Sequence, residues 1–462
     1  MSTVPAATSN GRGMSAFLPW AAAGVGLLAT VLVLYPGQYP FDSAYQLWQA
    51  RSGQFNNQSP VAMTALWRLL LRFTGNPATL FCLNLTMFWA GLALCSSAVR
   101  THAAMRIALL FVCGMAPLAL VEMAHVLTDA HLAAVLVLAT GFAARGLVDA
   151  KRGALLASLA LLVYAGVVRY NALAAIVPPG VVIAGAWLPR PASIWRVRLL
   201  AATTMVCLPL VAAFTLDRAL TTHRVTVWPT IALWDLAAVS VDTGTLLLPP
   251  YTHGPGLSVD ELRTTGAFDP TANTFLFQAS HSGMRDGLLD PYTAEQLRSL
   301  RRSWIEAIVH HPGAYLRHRL RTFRLLVGLH RGPTQGVAYF VSRMRYRDNP
   351  RIPPAIDQRL QDRFYALASA LRASWIFSAL PYLMLSLVAL IVGWRHRREP
   401  IPRLAAAFAA GALLYAAALL PLAPAADLRY LTWPIVAGPL MLALTLFGSG
   451  RAIVRLDAAS SR

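Results

Sequence analysis

Six charged residues recur at comparable places in this chain, each within a few residues of one end of an apolar run: Asp42, Glu122, Asp129, Arg169, Asp427 and Arg429. The first lies in "YPGQYPFDSAYQLWQARSGQFNNQSP", Tyr35 to Pro60, which follows about twenty apolar residues and carries a single carboxylate. Within it "FDSAYQLWQA" reads as an amphipathic helix with Asp42 in its first turn, where an acid can cap the helix or accept a proton. Arg169-Tyr170-Asn171 interrupts two apolar runs where a plain hairpin turn would favour Gly, Pro or Asn. Any one of these charges alone could be a loop residue in water. Ionisable groups at a hydrocarbon boundary are costly, however, and six at matching positions could converge on one cleft at one depth. The histidine pairs His125 with His131 and His310 with His311 lack zinc spacing and read as polar surface groups. No Walker loop, GxSxG elbow, HExxH or GxGxxG strand–helix unit is present, which removes the usual nucleotide and hydrolase readings.

Composition sets the elements that must carry these residues. The hydrophobic fraction is 56% and the charged fraction only 13%, with apolar runs along the whole chain, so the expected fold class is an all-α polytopic membrane protein. The formal charge of +20 is almost wholly arginine, since Lys151 is the only lysine, which points to a GC-rich bacterial genome. A basic excess could also mean nucleic acid, but loop topology accounts for it here, and no nucleic-acid partner is expected. Cys82, Cys95, Cys113 and Cys207 all fall inside apolar runs and read as packing residues.

About ten spans are expected, near 15–35, 78–98, 104–122, 130–144, 153–168, 172–189, 199–216, 375–394, 404–422 and 431–447, of which the fourth, fifth and tenth are short. The first is too long for a signal-peptide core and lacks a cleavage site before Tyr35. Arginine placement orients the spans: the loops holding Arg100 and Arg106, then Arg145 to Arg152, Arg190 to Arg198 and Arg395 to Arg403, should face the cytoplasm together with both termini. The chain then divides into an N-terminal tail (1–14), a transmembrane core (15–216) with a first outer loop (36–77), a small and mostly helical periplasmic segment (217–373), C-terminal spans (374–447) and a cytoplasmic tail (448–462). Within the periplasmic segment helices are expected around 292–311 and 355–372. "HHPGAYLRHRLRTFRLLVG" sets Arg317, Arg321 and Arg324 at helical spacing against Leu316, Leu320 and Phe323, the pattern of a helix in the headgroup plane. "VAMTALWRLLLRF" reads similarly.

An acid just after the first span, interfacial helices, acids in a second outer loop, a large late outer segment and "DLRYLTWPIV" before the last span together resemble the GT-C superfamily of polyprenyl-phosphate-sugar-dependent glycosyltransferases. The resemblance is nearest to bacterial membrane proteins of that type and runs through "FDSAYQLWQARSGQF", "HVLTDAHLAA", "RYNALAAIVP", "WDLAAVSVDTGTLLLP" and "HHPGAYLRHRL". Where that group tends to read Asp-Trp-His-Pro-Pro, this chain has Asn57-Gln58-Ser59-Pro60-Val61, losing an acid and a histidine that could hold a metal or the donor phosphate.

The resemblance implies a multi-pass enzyme of the bacterial inner membrane with its active site facing the periplasm. It would move a sugar from a polyprenyl-phosphate-linked donor to a periplasmic acceptor by inverting displacement. Phosphate leaves readily, so such a reaction needs only a base for the acceptor hydroxyl and cations for the departing phosphate. Asp42 would be the base. Arg169, Arg429 and Arg317 or Arg321 would hold the phosphate, with Tyr170, Asn171 and Asp427 beside them in the substrate-binding set. Glu122 and Asp129 could position the acceptor or share a divalent cation with Asp42; no other cofactor is implied. Tyr45, Trp48 and Trp67 could stack on sugar or prenyl faces. An O-antigen-type polymerase or ligase, a lipid or polysaccharide transporter and an inactive GT-C-like protein are the alternatives.

Overall fold

The computed structural model describes residues 10–187, 194–277, 283–285, 292–329 and 343–448. Most of the predicted C-terminal tail therefore lies outside the described residues. Among the described residues, ten α-helices make the first half: α1 (Asn10–Leu34), α2 (Phe41–Ser52), α3 (Val61–Thr74), α4 (Thr79–Ala98), α5 (Ala103–Gly114), α6 (Pro117–Met123), α7 (Thr128–Val148), α8 (Arg152–Val168), α9 (Leu173–Trp187) and α10 (Ile194–Leu220). A long connection holds α11 (Trp228–Thr243), α12 (Val259–Thr264), α13 (Ala294–His310), α14 (Pro312–Leu326) and α15 (Gln358–Leu371). Three more, α16 (Leu380–Arg395), α17 (Pro400–Leu422) and α18 (Thr432–Phe447), follow among the described residues.

Among the described residues, seven helical segments are long and apolar enough to cross a membrane, and an eighth if α5 and α6 count as one span. One difference from the expected ten has a local cause. The segment read as one span over 104–122 is two helices bent by 59°, because Pro117 has no N–H to continue α5 and disfavours helical backbone at Ala116. The α8 and α16 segments are apolar but fall short of a full crossing length. The fourth and tenth spans, expected to be short, are 21 and 20 residues long.

The inner helices α4, α7, α17 and α18 form the centre, while α1 and α10 turn large apolar residues such as Leu28, Val211 and Phe214 outward. Helices that are apolar on every side have their outer faces matched to hydrocarbon. Close approach is set by small residues: a Cβ on Gly91 of α4 would lie 2.6 Å from the Val137 backbone of α7, and one on Gly411 of α17 would strike the Ala175 carbonyl of α9.

The long connection is not one body. Residues of α11, α12 and α13 build a separate apolar core around Leu233, Leu236, Leu262, Leu276 and Leu300. The end of α14 and all of α15 join the bundle instead, through Leu326, Val327, Tyr365 and Ala368. Gln361 of α15 donates to the Val33 and Tyr35 carbonyls at 3.2 and 3.0 Å, which seals the end of α1. The expected helix at 292–311 starts with a capping box, in which the Thr293 hydroxyl accepts from Gln296 N–H and the Gln296 amide oxygen accepts from Thr293 N–H.

Gly91→Leu should lower the unfolding temperature of the detergent-solubilised protein, overpacking of this kind costing about 1–3 kcal/mol, whereas Gly153→Ala, which meets open space, should leave it unchanged. Equal melting of both variants would remove the α4–α7 contact from the fold's supports.

Candidate functional site

Backbone pairing brings the separate acids together. Gln38 N–H donates to the Ala124 carbonyl and Val126 N–H to the Gln38 carbonyl, at 2.8 and 3.0 Å, so the start of α2 lies beside the α6–α7 turn. A second tie joins Ala272 to Ala425, with Asn273 N–H donating to the Pro424 carbonyl at 3.1 Å, and fixes the approach to α18. A cleft of about 300 Å³ results, lined by Asp42, Asp129, Arg169, Tyr170, Asn171 and Arg429, with Gln46, Gln58, Ser59, Thr128 and Tyr430 completing its polar wall.

Its charges are linked in one chain. Arg429 Nη1 lies 2.6 Å from Asp42 Oδ2, and its Nε lies 2.6 Å from Asp427 Oδ2. Arg169 pairs with Asp129, donates from Nε to Asn171 Oδ1 at 3.1 Å and reaches Thr128 Oγ1 at 3.4 Å. Both guanidiniums lie over the Tyr430 ring, each 5.3 Å from its centroid, a cation–π bridge between two like charges. Glu122 stands behind the cleft: Thr432 Oγ1 lies 3.3 Å from its Oε2, and its Oε1 meets no hydrogen-bond partner among the described residues. Burial pushes the Asp427 carboxyl above the ordinary range although Arg429 beside it pulls the other way.

Exposure separates the four acids. The Asp42 side chain is 44% exposed, against 22% for Asp427 and 4% for Asp129, and Glu122 is 1% exposed as a residue. Asp42 also does not cap its helix, since the N-cap is Pro40 and no side-chain bond is made there. Asp42 is thus the acid of this group that a molecule in the cleft can reach most readily. Among the described residues no three His, Cys, Asp or Glu side chains gather closely enough to hold a metal ion. The cleft carboxylates face guanidiniums or a hydroxyl instead.

Other expected site residues lie elsewhere. Arg317 and Arg321 are exposed and outside the cleft, Arg317 pairing with Asp242 at 2.5 Å. The inner face of α14 is polar instead: Arg319, 1% exposed, lies 2.6 Å from Asp235 Oδ2 and donates to the Ala423 carbonyl at 2.8 Å. Trp304 Nε1 donates to the same carboxylate at 3.0 Å and His318 Nε2 lies 3.4 Å from its other oxygen. Burial pushes the His318 imidazole below its ordinary range. This cluster holds Ala423, which leads into the cleft residue Pro424. Two stretches quoted for the family resemblance therefore meet through opposite charges, Asp235 with Arg319 and Asp242 with Arg317.

Tyr45 and Trp48 stack with each other and against Tyr346, with Arg347 4.3 Å over the Trp48 ring, so they pack beside the cleft rather than line it. Trp67 is a core residue, fully buried and donating to the Pro77 carbonyl at 3.0 Å. His125 and His131, expected on the surface, are buried. His131 meets Asn84 Oδ1 at 2.7 Å and Tyr164 Oη at 2.9 Å. Asn57, the first residue of the Asn57-Gln58-Ser59-Pro60-Val61 stretch, bonds the Val225 backbone through both ends of its amide, at 3.1 and 2.7 Å. Tyr430 was within a quoted stretch but its place between two arginines has no sequence signal.

No protein-family model matches the chain, and no curated protein or solved structure matches it either. The resemblance drawn above rests on the residues themselves.

Arg319→Leu strands the Asp235 carboxylate in the interior and should destabilise the protein by about 3–5 kcal/mol. Adding Asp235→Asn, which keeps an acceptor for Trp304, should restore much of the loss in a denaturant melt. A double variant no more stable than the single one would mean that the pair is not the support described.

Proposed function

We propose that this chain is a GT-C-like membrane glycosyltransferase that moves a sugar from a polyprenyl-phosphate-linked donor to an acceptor hydroxyl. The observation that carries the reading is the reach of Asp42: among the four acids gathered here it alone is substantially open, and it is held in place by Arg429 at 2.6 Å. A base must touch the acceptor proton, whereas charge-balancing acids can stay buried.

In the reaction the acceptor oxygen attacks the anomeric carbon and the bond from that carbon to the phosphate oxygen breaks. The hydroxyl proton passes to Asp42, and the electron pair leaves on the polyprenyl phosphate. Inversion follows from a single displacement. Arg169 and Arg429 are the cations within the cleft that can meet the phosphate, exchanging Asp129 and Asp42 for its oxygens, and Tyr430 keeps the two guanidiniums together. Arg317 and Arg321 lie outside the cleft and have no part in this step. Tyr170, half-exposed at the rim, is placed to meet a sugar or prenyl face. The apolar helices support a site near a membrane boundary, where a lipid-anchored donor is confined, and the arginine asymmetry of the loops favours the periplasmic face of a bacterial inner membrane.

A transporter would also use charges near a membrane boundary. The break between α5 and α6 is a feature of that class, but it has no counterpart among the described residues in a matching half.

Asp42→Asn keeps the size of the side chain and an oxygen for Arg429 but cannot take a proton. Membranes carrying this variant should turn over a radiolabelled polyprenyl-linked sugar about 10²–10⁴-fold more slowly than wild type, with insertion and melting unchanged. Full activity in the folded variant would remove Asp42 as the base, and no turnover by the wild type with any polyprenyl-linked sugar would remove the enzyme reading.

A further inference from the structure

A second cavity, about 650 Å³ in volume, opens between α9, α10, α16 and α17. One of these helices, α17, also lines the cleft, at its other end. On α17, Leu419 and Leu422 line the cleft, whereas Arg403 and Ala406 line this cavity. From Ala410, the cavity-lining residue of α17 nearest the cleft, to Leu419 the helix advances about 14 Å at 1.5 Å per residue, so the two hollows are separate. Nothing in the proposed transfer reaction uses the second one.

Its chemistry is divided. The wall is apolar, with Val182, Leu390 and Ala406 facing the space. Three exposed guanidiniums from separate elements stand with it: Arg198 in the first turns of α10, Arg397 in the turn after α16, and Arg403 in the first turn of α17. The carboxylate of that turn, Glu399, lies toward His396 at 4.0 Å. Arg397 folds across the Trp394 ring, 5.2 Å from its centroid, and donates to the Trp394 carbonyl at 3.2 Å. Trp394 and Trp195 are each 62% exposed beside these cations, the aromatic and basic mixture of a water–hydrocarbon boundary.

We propose that this cavity binds an anionic phospholipid, with its phosphate among Arg198, Arg397 and Arg403 and one acyl chain along Val182, Leu390 and Ala406. Three cations call for an anion, and the apolar wall behind them calls for a chain attached to it. A free phosphate would leave that wall unused. Cavities of this volume are in the range that holds small ligands, about 300–1,000 Å³. Because α9 and α17 run from this cavity to the cleft, a lipid seated here would brace the pair at the end remote from Arg169 and Arg429.

Native mass spectrometry of the full chain released from detergent micelles tests this, with phosphatidylglycerol, phosphatidylcholine and inorganic phosphate offered separately. Wild type should retain one phosphatidylglycerol in preference to phosphatidylcholine. The Arg198→Gln, Arg397→Gln, Arg403→Gln triple variant should bind it on the order of 100-fold more weakly, since each arginine contributes to an anionic headgroup contact. Gly185→Trp should also weaken retention while leaving every charge in place, because that backbone position lines the cavity and faces open space. The Arg196→Gln, Arg395→Gln, Arg398→Gln variant, which removes as much charge from the same end without touching the cavity, should bind as wild type does. Equal retention by the wild type and the triple variant would overturn the proposal. So would an equal loss in the control variant, or displacement of the lipid by inorganic phosphate alone.

Discussion

Arg429 is the point at which the chain closes. Its guanidinium meets Asp42, 387 positions earlier, and Asp427 beside it, and it lies over the Tyr430 ring that Arg169 also covers. A cation largely withdrawn from water is tolerated only with anionic partners and satisfied donors, so the loops that supply those partners must meet at one place. That requirement explains features that otherwise look unrelated. The Gln38 to Val126 backbone pairing holds the Asp42 helix against the turn before Asp129, and the Ala272–Ala425 pairing holds the approach to Asp427. The Asp235–Arg319 pair, further out, fixes the Ala423 carbonyl at the start of that approach.

The same constraint decides what could be read from the sequence. Asp42, Glu122, Asp129, Arg169, Asp427 and Arg429 were legible as a group because charge at the edge of an apolar run is costly wherever it occurs. Their assignment to one cleft followed from topology, and the structure sets four of them on its wall, with Glu122 and Asp427 behind it. On α14 the same logic misled. Polar and apolar spacing singled out Arg317 and Arg321, but the neighbouring core is itself polar and takes Arg319, whose partner Asp235 lies 84 positions away. His131 was misread for a similar reason, since Asn84 and Tyr164 reach it from α4 and α8 and no local pattern announces them. The break before Pro117 did have a local signal, hidden inside a stretch apolar enough to pass for one span.

The proposed transfer depends on an exchange of partners at the two cleft arginines. Asp129 and Asp42 occupy the two arginines now; a donor must displace them, and the displacement of Asp42 is what would free its carboxylate to receive a proton. Guanidinium suits this exchange because it stays charged and can bind either carboxylate or phosphate in the same fork geometry.

The most direct measurement is therefore a structure of the protein with the product of that transfer, a polyprenyl phosphate, bound in lipid nanodiscs. The account predicts phosphate density between Arg169 and Arg429, with at least one of their carboxylate pairings broken and Asp42 turned toward the space where the sugar would stand. Phosphate bound elsewhere, with the Asp129–Arg169 and Asp42–Arg429 pairs both intact, would contradict it.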